Sequence, residues 1–109
     1  MADNFYSPEG IKSPRKLRSL RPDLFKAFTE FDNKVFEEGA LNVKTKELIA
    51  VAAAHITQCP YCIDTHVKRA TAAGATEEEV AESIFVAMAL RAGGAFAHSS
   101  LAMHSLEHK

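Results

Sequence analysis

The stretch "KTKELIAVAAAHITQCPYCIDTHVKRATAAGATEEEVAE", residues 44–82, decides how this chain folds. It begins inside the segment "VKTKELIAVAAAHITQ", which carries no internal turn signal and reads as one helix capped by Asn42. The second half of that helix is apolar on nearly every side, which places it at the centre of the domain or in a subunit contact. A turn is expected at Thr57-Gln58. Cys59-Pro60 then opens the next helix, with Pro60 pre-set for the first turn, and Gly74 ends it. Thr76, followed three positions later by Glu79, is a capping box for "EEEVAESIFVAMALRA".

Outward from this centre the same rules apply. Upstream, Pro22 starts a helix whose Leu24, Phe25, Phe28, Phe31, Val35 and Phe36 follow a three-to-four spacing, and Gly39 is suited to its C-terminal cap. Downstream, Gly93-Gly94 is expected to break or bend the chain before a last helix, "AFAHSSLAMHSLE". Four or five helices and no convincing strand make the fold class all-α. Met88 and Met103 read as core filler.

At 109 residues the chain has room for one domain, 1–109, with residues 1–20 as an N-terminal arm and 44–82 as the motif core. Thirteen basic against 14 acidic side chains exclude the strong basic excess of a nucleic-acid binder. The local cluster Lys12, Arg15, Lys16, Arg18 and Arg21 lacks interleaved aromatics and reads as a solvated arm or a subunit contact. The N-terminus shows no hydrophobic signal region, and no apolar run is expected to reach the length of a membrane helix. A cytoplasmic protein without membrane or nucleic-acid partners is the expectation. In that compartment a two-cysteine motif is catalytic or metal-binding more often than a structural staple. A small core and an all-apolar second helix point to a homo-oligomer.

Cys59, Cys62 and His66 stand at spacings of three and four. With Cys59 as N-cap and Cys62 at the third helical position, both lie where the helix dipole and unpaired amides favour a thiolate. Residues three apart share a helix face, close enough for a disulfide. His66 stands over that face and could take the thiol proton or stabilise the thiolate. If the two central helices form an antiparallel hairpin about the Thr57-Gln58 turn, Glu47 comes to the height of His66. A carboxylate in that apolar helix must reach solvent at an edge or find a partner. Zinc remains an alternative, since C-x2-C-x3-H offers three ligands and His55 a fourth, although structural zinc sites usually draw on two separated ligand pairs. Covalent haem fails because Ile63, not histidine, follows Cys62. A thioredoxin fold fails for want of a βαβ context. His98 and His104 read as surface or satisfied histidines, and Arg69 and Arg91 as salt-bridging or subunit-contact residues.

The run Lys44–Glu82 resembles the core of the carboxymuconolactone decarboxylase superfamily, and most nearly its alkyl hydroperoxidase D (AhpD)-like branch. The signature there is a glutamate, eleven residues, then C-x2-C-x3-H, which Glu47, Cys59, Cys62 and His66 match. The resemblance implies an AhpD-like helical bundle of about five to six helices with CxxC at the N-terminus of a central helix. It implies trimers or hexamers, and a thiol-dependent peroxidase or disulfide oxidoreductase in which Cys62 attacks a small-molecule hydroperoxide and Cys59 resolves the sulfenic acid. Glu47 and His66 would form the proton relay. No resident cofactor or metal is implied; the disulfide is reduced by an external dithiol electron donor, lipoyl-type in characterised members. Helix-terminus reasoning alone favours Cys59, the more exposed cysteine, as nucleophile; the family assignment and the nearby His66 favour Cys62. The chain departs from the best-characterised peroxidase at Tyr61, where that enzyme has a second histidine, and a tyrosine hydroxyl is a poor base at neutral pH. Tyr61 is therefore a candidate proton donor or a packing residue. A non-enzymatic zinc-binding or assembly module is the rival reading. Lactone decarboxylation is disfavoured because that branch of the superfamily lacks the cysteine pair.

Overall fold

The computed structural model describes residues 14–108, so Lys12 of the basic cluster and most of the expected arm lie outside the described residues. Five helices follow: α1 Pro14–Leu20, α2 Pro22–Val35, α3 Val43–Thr57, α4 Pro60–Ala72 and α5 Glu77–Glu107, with no strand among the described residues. The fold is all-α, as expected. Helix α1 occupies positions expected to belong to the N-terminal arm. Its signals, Pro14 at the start and Leu17 and Leu20 three apart, are short enough to pass unnoticed.

Local chemistry sets the ends of the central helices. Asn42 Oδ1 accepts a 2.8 Å hydrogen bond from the Thr45 amide at the start of α3. Gln58, in the left-handed region at φ 59°, closes that helix, and the Cys59 amide bonds back to the Ala54 carbonyl. The chain thus reverses at the turn expected. Helix α4 ends before Gly74, whose φ of +98° suits a residue without Cβ. At the head of α5 the Thr76 hydroxyl accepts from the Glu79 amide and the Glu79 carboxylate accepts from the Thr76 amide.

Three expectations about the helices are corrected. Helix α2 stops at Val35, short of Gly39, because Lys46 Nζ donates to the Val35 and Glu37 carbonyls and takes over the helix end. Helix α5 runs unbroken through Gly93-Gly94 for 31 residues. Each glycine costs about 1 kcal/mol against alanine in a helix interior, but no proline or polar turn residue accompanies them, and alanine, leucine and phenylalanine on both sides continue the helix. The uninterrupted α5 is, by length and composition, long and apolar enough to cross a membrane. This corrects the expectation that no run reaches that length.

Helices α3, α4 and α5 form the packed unit. Helix α4 returns antiparallel to α3. Helix α5 runs parallel to α3, since Lys44 pairs with Glu79 at 2.9 Å and Arg91 Nη1 donates to the Ile56 carbonyl at 2.6 Å, both with a residue offset of 35. Val51, Ala70 and Ala75 form the buried cluster, with Leu48, Val67, Val80 and Ile84 packed around it. This core is thin. Large side chains such as Phe28, Phe31, Phe85, Phe96 and Leu101 remain more than half exposed, and so do Met88 and Met103, which were expected to fill the core.

Candidate active site

The hairpin of α3 and α4 assembles the site. Cys59 is the N-cap of α4 in extended conformation, and its sulfur accepts from the Cys62 amide at 3.2 Å. Cys62 is therefore the third helical residue, as the position of Pro60 requires. Cys59 and Cys62 are joined by a disulfide, with their Cα atoms 5.2 Å apart. Both are half-buried.

One turn further along α4 is His66, 15% exposed. Across the hairpin, Glu47 points inward from α3 and is 2% exposed, the one buried charged residue among those described. Its Oε1 lies 2.6 Å from His66 Nδ1. As a carboxylate it only accepts, so His66 donates from Nδ1, and in a neutral ring Nε2 is then the acceptor nitrogen. The second oxygen, Oε2, lies 3.5 Å from Arg69 Nε, an ion pair from the next turn of α4. A buried carboxylate is tolerable only with such partners. Phe36, from the end of α2, stacks on the His66 ring with centroids 5.1 Å apart and also lies under the Arg69 guanidinium at 5.4 Å.

All five site residues expected from sequence thus lie on one hairpin, Glu47 on α3 and Cys59, Tyr61, Cys62 and His66 on α4 and its N-cap. Tyr61 is half-buried in the first turn of α4, between the cysteines. Among the described residues no group of three histidine, cysteine, aspartate or glutamate side chains is arranged to hold a metal ion. His55 Nδ1 bonds within its own helix to the Val51 carbonyl, as His98 does to Gly94. Arg69 is the salt-bridging residue expected, and its partner is the buried Glu47 carboxylate. The i, i+3 spacing from His66 was the available signal for that. For Phe36 there was none, since its place over His66 depends on how the α2–α3 connection is pinned.

Residues 22–104 match the family model described as the carboxymuconolactone decarboxylase family. The chain belongs to that family. An uncharacterised protein of the cox locus of Paracoccus denitrificans is 52% identical over 81 residues, covering 74% of this chain and 73% of that protein. A crystal structure from Methanobacterium thermoautotrophicum aligns with a TM-score of 0.75 at 35% identity, covering 79% of this chain and 97% of the other. The apo form of a carboxymuconolactone decarboxylase family protein from Legionella pneumophila aligns at 0.70 and 32%, covering 91% and 88%. A family member from Thermotoga maritima with a suggested involvement in an antioxidative response aligns at 0.56 and 31%, covering 74% and 93%. The family includes decarboxylases and AhpD-like enzymes, and the Cys59–Cys62 pair fits the AhpD-like branch.

Proposed function

We propose that this family member is a thiol peroxidase that reduces hydroperoxides through Cys59 and Cys62. The observation that carries the reading is the Glu47–His66 hydrogen bond of 2.6 Å, one helical turn from a bonded cysteine pair. In the dithiol form, His66 Nε2 takes the proton of Cys62. The thiolate attacks one peroxide oxygen, the O–O bond breaks, and the departing alkoxide receives a proton from the imidazolium. Cys62 is then a sulfenic acid. Cys59 attacks its sulfur, water leaves, and the disulfide of this structure forms. An external dithiol reduces it by exchange and is itself oxidised to a disulfide. Neither step calls on a resident cofactor.

The working protein is a cytoplasmic homo-oligomer. The chain exposes 8688 Å² where a compact monomer of this mass exposes about 6,000 Å². Its radius of gyration is 18.4 Å against about 13 Å for a compact chain of the same length. Exposed phenylalanines and leucines on α2 and α5 are the surface that assembly would cover. A soluble assembly accounts for α5 better than a membrane span does, because α5 starts with three glutamates, packs on α3 and carries Arg91 bonded to the α3 terminus.

The test is peroxide consumption measured against a panel of dithiol reductants, beside mass spectrometry of the reduced protein. Peroxide treatment should remove two hydrogens by forming the disulfide, and Cys62→Ser should abolish this. Stoichiometric zinc with two protected thiols would defeat the reading in favour of a metal-binding module.

A further inference from the structure

Glu47, His66, Phe36 and Arg69 close a ring of contacts that the relay alone does not require. Glu47 offers one oxygen to His66 and the other to Arg69. Phe36 stacks on His66 and meets the Arg69 guanidinium on its ring. The carboxylate of a glutamate rotates freely about its last bond unless both oxygens are held. Arg69 Nε, 3.5 Å from Oε2, supplies the second hold and leaves Oε1 directed at His66 Nδ1. Arg69 also supplies a positive charge beside a carboxylate that is otherwise buried. An arginine meets both demands because its planar guanidinium can face a carboxylate and an aromatic ring at once, which a lysine ammonium does not do. Arg69 is 44% exposed, so the ring is closed at the protein surface rather than deep in the core. Lys46 fixes the α2–α3 connection that brings Phe36 to this place, through its bonds to the Val35 and Glu37 carbonyls.

We propose that Arg69 is a positioning residue for the proton relay: with Phe36 it holds Glu47 so that His66 keeps its proton on Nδ1 and its lone pair on Nε2. This rests on the peroxidase reading for its consequence, although the positioning can be measured without turnover. The experiment uses the full chain, reduced with a dithiol and labelled with 15N histidine, in wild type, Arg69→Ala and Phe36→Leu. Nitrogen NMR reads the His66 tautomer directly. Arg69→Ala should lower the share of Nδ1–H tautomer and reduce kcat for peroxide about 5- to 10-fold with little change in KM. Phe36→Leu, which keeps an apolar side chain over the ring, should shift both in the same direction by less. Millimolar methylguanidinium should restore part of the Arg69→Ala loss, and methylammonium at equal ionic strength should not, a distinction that a merely structural role would not produce. An unchanged His66 tautomer in folded Arg69→Ala, or in Phe36→Leu should Arg69→Ala not fold, overturns the proposal. A tautomer shift with unchanged turnover keeps the positioning and overturns the relay reading instead.

Discussion

Glu47→Gln keeps the shape of the side chain and removes its charge, so it isolates what the carboxylate does. Glu47 is 2% exposed, with Oε1 2.6 Å from His66 Nδ1 and Oε2 3.5 Å from Arg69 Nε. A carboxylate can only accept, which fixes the His66 tautomer. The amide can turn either way. With its oxygen toward Nδ1 it preserves the tautomer but weakens the bond. With its NH2 toward Nδ1 it donates, and the ring proton moves to Nε2, the atom that takes the Cys62 proton in the proposed mechanism. A hydrogen bond to a charged group contributes about 1.5–3 kcal/mol, and at 1.36 kcal/mol per decade its loss slows turnover about 10- to 150-fold. Stability should change far less. An amide is easier to bury than a carboxylate, and the partly exposed Arg69 regains water when its partner loses charge. A melting shift below about 5 °C, the equivalent of about 1 kcal/mol in a domain of this size, is expected. The assay is peroxide consumption at saturating dithiol, with circular dichroism as the check on folding. Turnover within about twofold of wild type in a folded Glu47→Gln protein would remove Glu47 from the mechanism.

Two further outcomes follow from the packing and the helix ends. The Thr76 amide, and after it Lys44, hold the Glu79 carboxyl below the usual glutamate range. A lowered folded-state value means that the stability from this group is fully present above the unfolded pKa of about 4.3 and is lost as pH falls through the lower folded value. Wild-type melting temperature should therefore fall more steeply below about pH 4.3 than that of Glu79→Gln, which keeps a capping side chain but cannot ionise; parallel slopes would refute the assignment. Sedimentation velocity at micromolar concentration should give a trimer or hexamer of the 11.9 kDa chain. A single 11.9 kDa species across the concentration range would mean that the exposed apolar faces of α2 and α5 have no second copy to cover them.

What could be read in the sequence depended on whether a residue posed a problem with few solutions. Glu47 did. A carboxylate in an apolar helix must be paired, and the hairpin register offered His66 at the matching height, where the structure places it. The caps at Asn42, Cys59 and Thr76 were legible for the same reason, because a helix start leaves amides that only certain side chains can satisfy. Gly93-Gly94 misled because a glycine pair weakens a helix without forbidding it, and the choice between a bend and a continuous α5 then rests on the flanking residues. Phe36 was the opposite case to Glu47. An apolar residue on an apolar face can be satisfied by almost any neighbour, so nothing in its spacing singles out a histidine nineteen residues beyond Glu47 as the ring it covers. That contact follows from Lys46 ending α2 early, a tertiary event which local propensity does not encode. The Glu47–His66 pair was therefore legible, and the ring of contacts around it was not. The charged half of the ring solves an electrostatic problem, whereas the aromatic half depends on where a loop is pinned.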